Sequence, residues 1–432
     1  MTGRRLALVG AVLLAAACVE QLTAPSHCPE FCPSGKIEIK DTLLADTIIS
    51  RDSAFRGYVL PHQSAVMLAA DLPGVVDGRA IFRINGVGSR FRISTTDTTT
   101  GPILGADSAR LRIEITRRDT AATNLRLQFY RLPKTIDSTT GFAALAGAFT
   151  DSLVRTVNID TLLARPGRKD PVTGDSVVVD SINNRLVLSL RLDSAAAHYI
   201  GTDSGTVAYG IRVAADSLAS IAIGKSTSTL AIGPLLQWYL RVDSIGTPVA
   251  RTPISLGAPF ASFVFDPPPA PLDSNFAGSR FPYSTLAVGG VPSARSVLRV
   301  KFPRFIRDSS RVIRGTLLLV PAVPARGAPT DSFTIEAHAV LADFGAKSPI
   351  LIDATRIDTT VIRIGASDTV KIEVTNLLQF WAADSTRPTT LVLRARDEAQ
   401  SFAEIRFHPS VATVFRPALE ITFVRQFPFG RP

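Results

Sequence analysis

The chain of 432 residues has only three cysteines, Cys18, Cys28 and Cys32. Beyond residue 32 no disulfide can form, so the bulk of the molecule must hold together by packing. The five histidines, at positions 27, 62, 198, 338 and 408, form no His-x-x-x-His pair and no Glu partnership at zinc spacing. We therefore expect no metal and no cofactor. Charged residues are 19% of the chain, below the usual quarter or so. Net charge is +10, yet no run of five or six basic residues occurs. A nucleic-acid surface needs a localised basic footprint, so no nucleic-acid partner is expected. Long amphipathic helical patterns are lacking too, apart from Phe142, Leu145 and Phe149, whose spacing predicts one short helix within 141–153.

What is present starts at the N-terminus. Arg4 and Arg5 precede an apolar run, Leu6 to Ala17, that ends in three alanines before Cys18. A basic start, a short apolar middle and small residues before a cut site make up a secretory signal. Twelve apolar residues fall short of the ~20 a spanning helix needs. Small residues directly before Cys resemble a bacterial lipobox, with Ala15 where a branched residue is usual. The expectation is a signal peptide over 1–17 and a lipid on Cys18. The chain would then be an exported lipoprotein at the outer membrane or cell surface, with the membrane as partner through that lipid. Lipidation also accounts for the odd cysteine, leaving Cys28 and Cys32 as a local disulfide in an oxidising compartment. Residues 18–36 are polar and contain proline, as a tether would.

The remainder alternates. Arg110–Thr116, Asn124–Phe129, Arg185–Leu192, Thr369–Thr375 and Ala403–Phe407 each place apolar side chains on every second residue. This is the pattern of strands half-buried in a sandwich. Asp-Ser and Asp-Thr pairs between the strands, such as Asp137-Ser138 and Asp331-Ser332, read as turn chemistry. Nothing like the Asp-x-Asp-x-Asp-Gly of a calcium loop appears. The prolines of Phe265–Pro271 form an extended break. The fold expected is all-β: two tandem jelly-roll-like antiparallel sandwiches, over 37–265 and 273–432, joined by a linker at 266–272. Insertions are expected in the first, around 134–180 and 193–208.

The two halves look alike. Arg79 and Arg83 flank one strand, Arg295 and Arg299 another, each pair four apart. Asp216 and Ser220 match Asp397 and Ser401, and Pro234 and Pro417 each open a last apolar strand. With the Leu44-Ala45-Asp46-Thr47 start and the Arg416-Pro417-Ala418-Leu419 close, this layout resembles the disaggregatase-related repeat (DNRLRE) family, which overlaps a group of carbohydrate-binding modules. Gly233 stands where the first repeat would need the closing Arg. The resemblance implies β-sandwiches on secreted, surface-attached proteins and no particular ligand.

Catalytic patterns are fragmentary. Gly224-Lys225-Ser226 matches only the tail of a phosphate-binding loop, with Ala219 where its first Gly belongs. Gly174-Asp175-Ser176 lacks the strand-to-helix elbow and nearby His of a serine nucleophile. Asp343 and Asp397 are the weakest of candidates for the paired carboxylates of glycoside hydrolysis. Of the aromatics, Trp238, Tyr239 and Trp381 are the candidates for a sugar-binding platform. Core packing is the default for both Trp, and alternation should turn one of Trp238 and Tyr239 outward. The expected role is non-catalytic: an envelope protein that binds or scaffolds extracellular polysaccharide or an envelope protein. A surface-anchored polysaccharide hydrolase or lyase is the alternative.

Overall fold

The computed structural model describes residues 39–45, 48–85, 90–92, 100–182, 185–192, 206–225, 233–242, 254–269, 271–272, 284–329, 331–343 and 351–425. It is mostly strand, 56%, with 10% helix, and every ladder is antiparallel. The expected all-β class is what the chain adopts. Cys18, Cys28 and Cys32 lie outside the described residues.

An N-terminal arm supplies β1 (Ile39–Leu44) and β2 (Ile49–Arg56). A first block follows: β3 (Val66–Leu72), β4 (Val76–Ile84), β5 (Arg90–Arg92), β6 (Thr100–Arg118) and β7 (Arg126–Leu132). It continues with β8 (Leu153–Asn158), β9 (Ser176–Asp180), β10 (Arg185–Leu192), β11 (Val207–Ala214), β12 (Ala219–Gly224) and β13 (Leu235–Val242). Next come a second pair, β14 (Ile254–Gly257) and β15 (Phe260–Asp266). The second block holds β16 (Leu286–Gly289), β17 (Ala294–Val300), β18 (Ser310–Leu319), β19 (Pro321–Arg326) and β20 (Ser332–Ala342). It ends with β21 (Leu351–Arg363), β22 (Val370–Glu373), β23 (Thr390–Ala395), β24 (Glu404–Phe407) and β25 (Ala418–Arg425).

The two blocks repeat one topology. In the first, spatial order runs β6-β12-β3-β4-β11-β7-β8; in the second it runs β19-β24-β16-β17-β23-β20-β21. The equivalence holds to the residue. Ile211 faces Phe129 as Leu393 faces Ala337, and Leu236 faces Leu111 as Leu419 faces Leu317. One difference separates the architectures. In the second block Pro321, which has no N–H to give a ladder, opens a separate strand after β18. The sheets therefore part into a four-stranded and an eight-stranded layer enclosing one core. In the first block β6 runs through without a break, and a single 13-stranded sheet curls around its own core.

The strand pairs at the head of each repeat are exchanged. β1 pairs with β25 over six residues and β2 with β17 over seven, so the arm completes the second block. β14 pairs with β13 and β15 with β4, completing the first. Leu44 opposite Leu419 and Leu256 opposite Leu236 are the matching positions. The expected first domain at 37–265 is therefore corrected. One unit, here the central unit, is built from 66–266. The other, the flanking unit, combines 39–56 with 286–425. Alternation fixes the face a strand buries but not the strand it pairs with, so the exchange leaves no local trace.

The units meet through apolar contacts. Phe402 lies edge-on to Phe263 and Phe265, with ring centroids 5.8 Å from each, and covers Gly78. Val66, Leu68, Val291 and Ala399 are buried beside it.

Among the described residues helices are few and short: α1 (Ala148–Asp151), α2 (Ile159–Ala164), α3 (Arg304–Arg307) and α4 (Thr375–Ala383). The helix expected within 141–153 is a 3-10 turn at Ala143–Leu145 followed by α1, and Leu153 already begins β8. Leu145 and Phe149 bury themselves on the outer face of the central sheet with Tyr130, Leu132 and Ile81. The insertion expected at 134–180 is interrupted by β8, the counterpart of β21.

Candidate functional site

Trp238 and Trp381 are each only 1% exposed, one in each core. Neither presents a ring to a ligand, so both are withdrawn from the binding candidates. On β13 the alternation that buries Trp238 turns Tyr239 to the outer face, where it is half-buried. Trp381 lies on α4, whose Leu377, Leu378, Phe380 and Trp381 form a helical stripe against the flanking core.

The open polar surface of the flanking unit is the outer face of its four-stranded layer. Arg314, Thr316, Lys371, Glu373, Glu420 and Thr422 line a groove there of about 280 Å³. The ladders set them side by side: Thr316 has Glu373 as its Cα partner on β22 and Glu420 on β25. Two carboxylates thus flank one hydroxyl, their Cα atoms about 10 Å apart at ~4.8 Å per strand. Arg314 Nε donates to Glu373 at 3.2 Å, an exposed pair of small energetic weight. The Thr375 hydroxyl donates to the same carboxylate, and Thr422 donates to Asp41 on β1 at 2.6 Å. Lys371 and Glu420 make no hydrogen bond or ion pair among the described residues. The face therefore offers unspent donors and acceptors, suited to a hydroxylated ligand, and no aromatic ring.

The central unit carries the same face with other residues. Arg191, Arg110, Gln237 and Ser255 stand in one row across β10, β6, β13 and β14, where the flanking unit has Glu373, Thr316, Glu420 and Leu43. Tyr239 occupies the place of Thr422. The Arg110 guanidinium donates to the Gly174 carbonyl at 3.3 Å and reaches Ser189 Oγ at 3.5 Å. Along this row the flanking unit has two carboxylates where the central unit has a guanidinium and an amide, beside the guanidinium of Arg110.

The fragmentary motifs resolve as structure. Lys225 directly follows β12, is 4% exposed, and gives its ammonium to the His62 carbonyl at 2.6 Å. Burial pushes its pKa down to about 8. Ser176 opens β9 opposite Ser189, and Asp175 is ion-paired with Arg155 at 2.6 Å. Asp343 is gripped by Arg299 through bonds of 2.6 and 2.9 Å and by Thr390 at 2.9 Å. Asp397 follows the other end of β23. Five residue steps at ~3.3 Å separate Thr390 from Ala395 by about 17 Å, beyond the spacing of a hydrolytic carboxylate pair. His338 is fully buried, its Nδ1 donating to the Asp353 carbonyl at 3.0 Å. Beside it burial would raise the Glu336 carboxyl, but hydrogen bonds from His338, Arg396 and Arg394 prevail and hold it below the usual range. Glu336 and His338 are thus buried under Arg394 and Arg396, which occupy the carboxylate. Among the described residues no three His, Cys, Asp or Glu side chains converge as metal ligands.

No protein-family model matches the chain, and no curated protein matches it. The outer-face residues were half visible in the sequence: Lys371 and Glu373 are the polar positions of the alternating Thr369–Thr375 segment. Their meeting with Arg314 and Glu420 depends on strand order, which the sequence does not carry.

Proposed function

We propose that this protein is an exported, lipid-anchored envelope protein that binds extracellular polysaccharide without cleaving it. The carrying observation is the open polar groove of the four-stranded layer, with Lys371 and Glu420 unengaged among the described residues. The likeness of the repeats to DNRLRE and carbohydrate-binding modules, and the lipobox-like Cys18 with its Cys28–Cys32 neighbour, support the same reading. The change from Glu373 and Glu420 to Arg191 and Gln237 gives the central unit a face of different selectivity. Tyr239 there adds a ring edge for sugar packing.

A hydrolase reading draws on Glu373 and Glu420, which stand two strands apart on one face. Glycoside hydrolysis also needs a water-excluding setting for the proton donor, and these carboxylates stand open to solvent. The test is a glycan array paired with a reducing-end assay. Binding without release of reducing ends is expected, and Lys371→Ala with Glu420→Ala should weaken it tenfold or more, as loss of charge-assisted hydrogen bonds does. Release of sugar would overturn the reading. Mass spectrometry of the mature N-terminus tests the anchor; an unmodified Cys18 would refute it.

A further inference from the structure

The strand exchange leaves the flanking unit with an acceptor surface that its own block cannot fill. Without the arm, the edges of β25 and β17 lose all their β1 and β2 partners. The arm is held mainly by its two ladders and by the Arg56–Glu404 pair at 2.5 Å: Ile39 and Leu43 are 60% and 61% exposed, and of its described residues only Ile48 and Ile49 are buried. It is also joined to the central unit, because residues 57–65 connect β2 to β3 directly and the His62 carbonyl accepts from the Lys225 ammonium at 2.6 Å. Residues 39–266 therefore form one donor piece and 284–425 one acceptor. The chain between them passes through Pro267, Pro268 and Pro269. Further on, Arg406 holds the Pro271 carbonyl at 2.9 Å. Consecutive prolines resist folding back on themselves and hold their ends apart.

Both blocks already accept the leading strand pair of a different repeat, so their edges do not require a donor from their own block. We infer that the partner of the flanking acceptor surface is also a second copy of this chain. Residues 39–266 of one copy complete 284–425 of another, and reciprocally, in a closed two-fold dimer that hinges at Pro267–Pro269. Every contact of the single chain recurs in the dimer: β1 with β25, β2 with β17, and Phe402 over Phe263 and Phe265. Only the hinge changes, so the balance between forms is set by hinge strain and concentration, as in domain swapping. Two chains held in one membrane plane would meet at raised effective concentration.

The test uses the mature-length chain with Cys18, Cys28 and Cys32 replaced by Ser. Ile39→Cys is placed in one preparation and Val424→Cys in another, since Ile39 and Val424 are Cα partners. The two are mixed, unfolded, refolded together at high concentration and oxidised. Expected are a dimer in size-exclusion chromatography with light scattering, its share rising with concentration, and a 39–424 disulfide between chains. Both substitutions in one chain should close the same bond internally when refolded dilute, which verifies the register. Only monomer and no mixed disulfide at any concentration would overturn the inference. A dimer lacking the 39–424 bond, while the double variant closes, would overturn it equally, since association would then use another surface.

Discussion

Replacing Ile49 with Ala separates an exchanged architecture from two self-contained tandem domains. Ile49 opens β2, is 7% exposed and packs in the flanking core with its Cα opposite Val300. Truncating a buried Ile to Ala costs 2–5 kcal/mol, and at this near-complete burial about 3 kcal/mol is expected. Each core holds one of the two tryptophans, Trp381 in the flanking core and Trp238 in the central one. Trp238→Phe and Trp381→Phe backgrounds therefore give each unit its own fluorescence reporter. With a urea slope of ~3 kcal/mol per M, the Trp381 midpoint should fall by about 1 M and the Trp238 midpoint by clearly less. Leu256→Ala, partly buried on β14, should do the reverse, lowering the Trp238 midpoint by about half as much. A fall confined to Trp238 on changing Ile49 would refute the exchange, because it would return the arm to the block it precedes in sequence.

Lys225 provides a pH prediction. Burial holds its folded-state pKa at about 8, below the ordinary lysine value of 10.5, so the unfolded chain binds more protons between those values. Stability relative to a Lys225→Met variant should rise as pH climbs from 8 toward 10.5, by about 1–3 kcal/mol, and stay flat below 7; denaturant titrations across that range check it. Arg295→Ala strips Glu398, a side chain 9% exposed, of bonds at 2.8 and 2.6 Å. Only the Ser293 hydroxyl, at 3.0 Å, would then remain on that charge; losing the partner of a buried ion pair costs about 3 kcal/mol, and calorimetry should show most of it recovered by Arg295→Met with Glu398→Leu. Gly315→Ala would set a methyl 2.1 Å from Leu378 Cδ1, against a fully buried side chain of α4. Overpacking of about 1–3 kcal/mol should appear in the Trp381 signal.

The alternating segments were readable because burying one face of a strand needs apolar side chains every second residue. Arg110–Thr116, Arg185–Leu192 and Ala403–Phe407 all lie in or overlap strands. Asp137 was readable as turn chemistry, and its carboxylate accepts the Thr139 N–H at 2.8 Å. The stripe of α4 was missed because Leu377, Leu378, Phe380 and Trp381 form so short an apolar cluster that strand and helix fit alike. Aligning the repeats on Asp216 and Asp397 slips β11 by one residue, since the core pairs Ile211 with Leu393. A one-residue slip inverts a strand's faces, so the loop and not the strand absorbs the difference. The groove was beyond reach for a related reason: Glu373 and Glu420 lie far apart in sequence and meet only because β18 lies between their strands.

The exchange also sets a schedule for the growing chain. The central unit has every strand it needs once Asp266 has been made. The arm, synthesised first, must wait for β17 and then for β25 before it has a partner, with Ile39 meeting Val424 near the very end. Closure of the flanking unit thus joins the earliest and latest segments around an interior already formed, and any chain interrupted between them keeps a finished centre and a loose leading end.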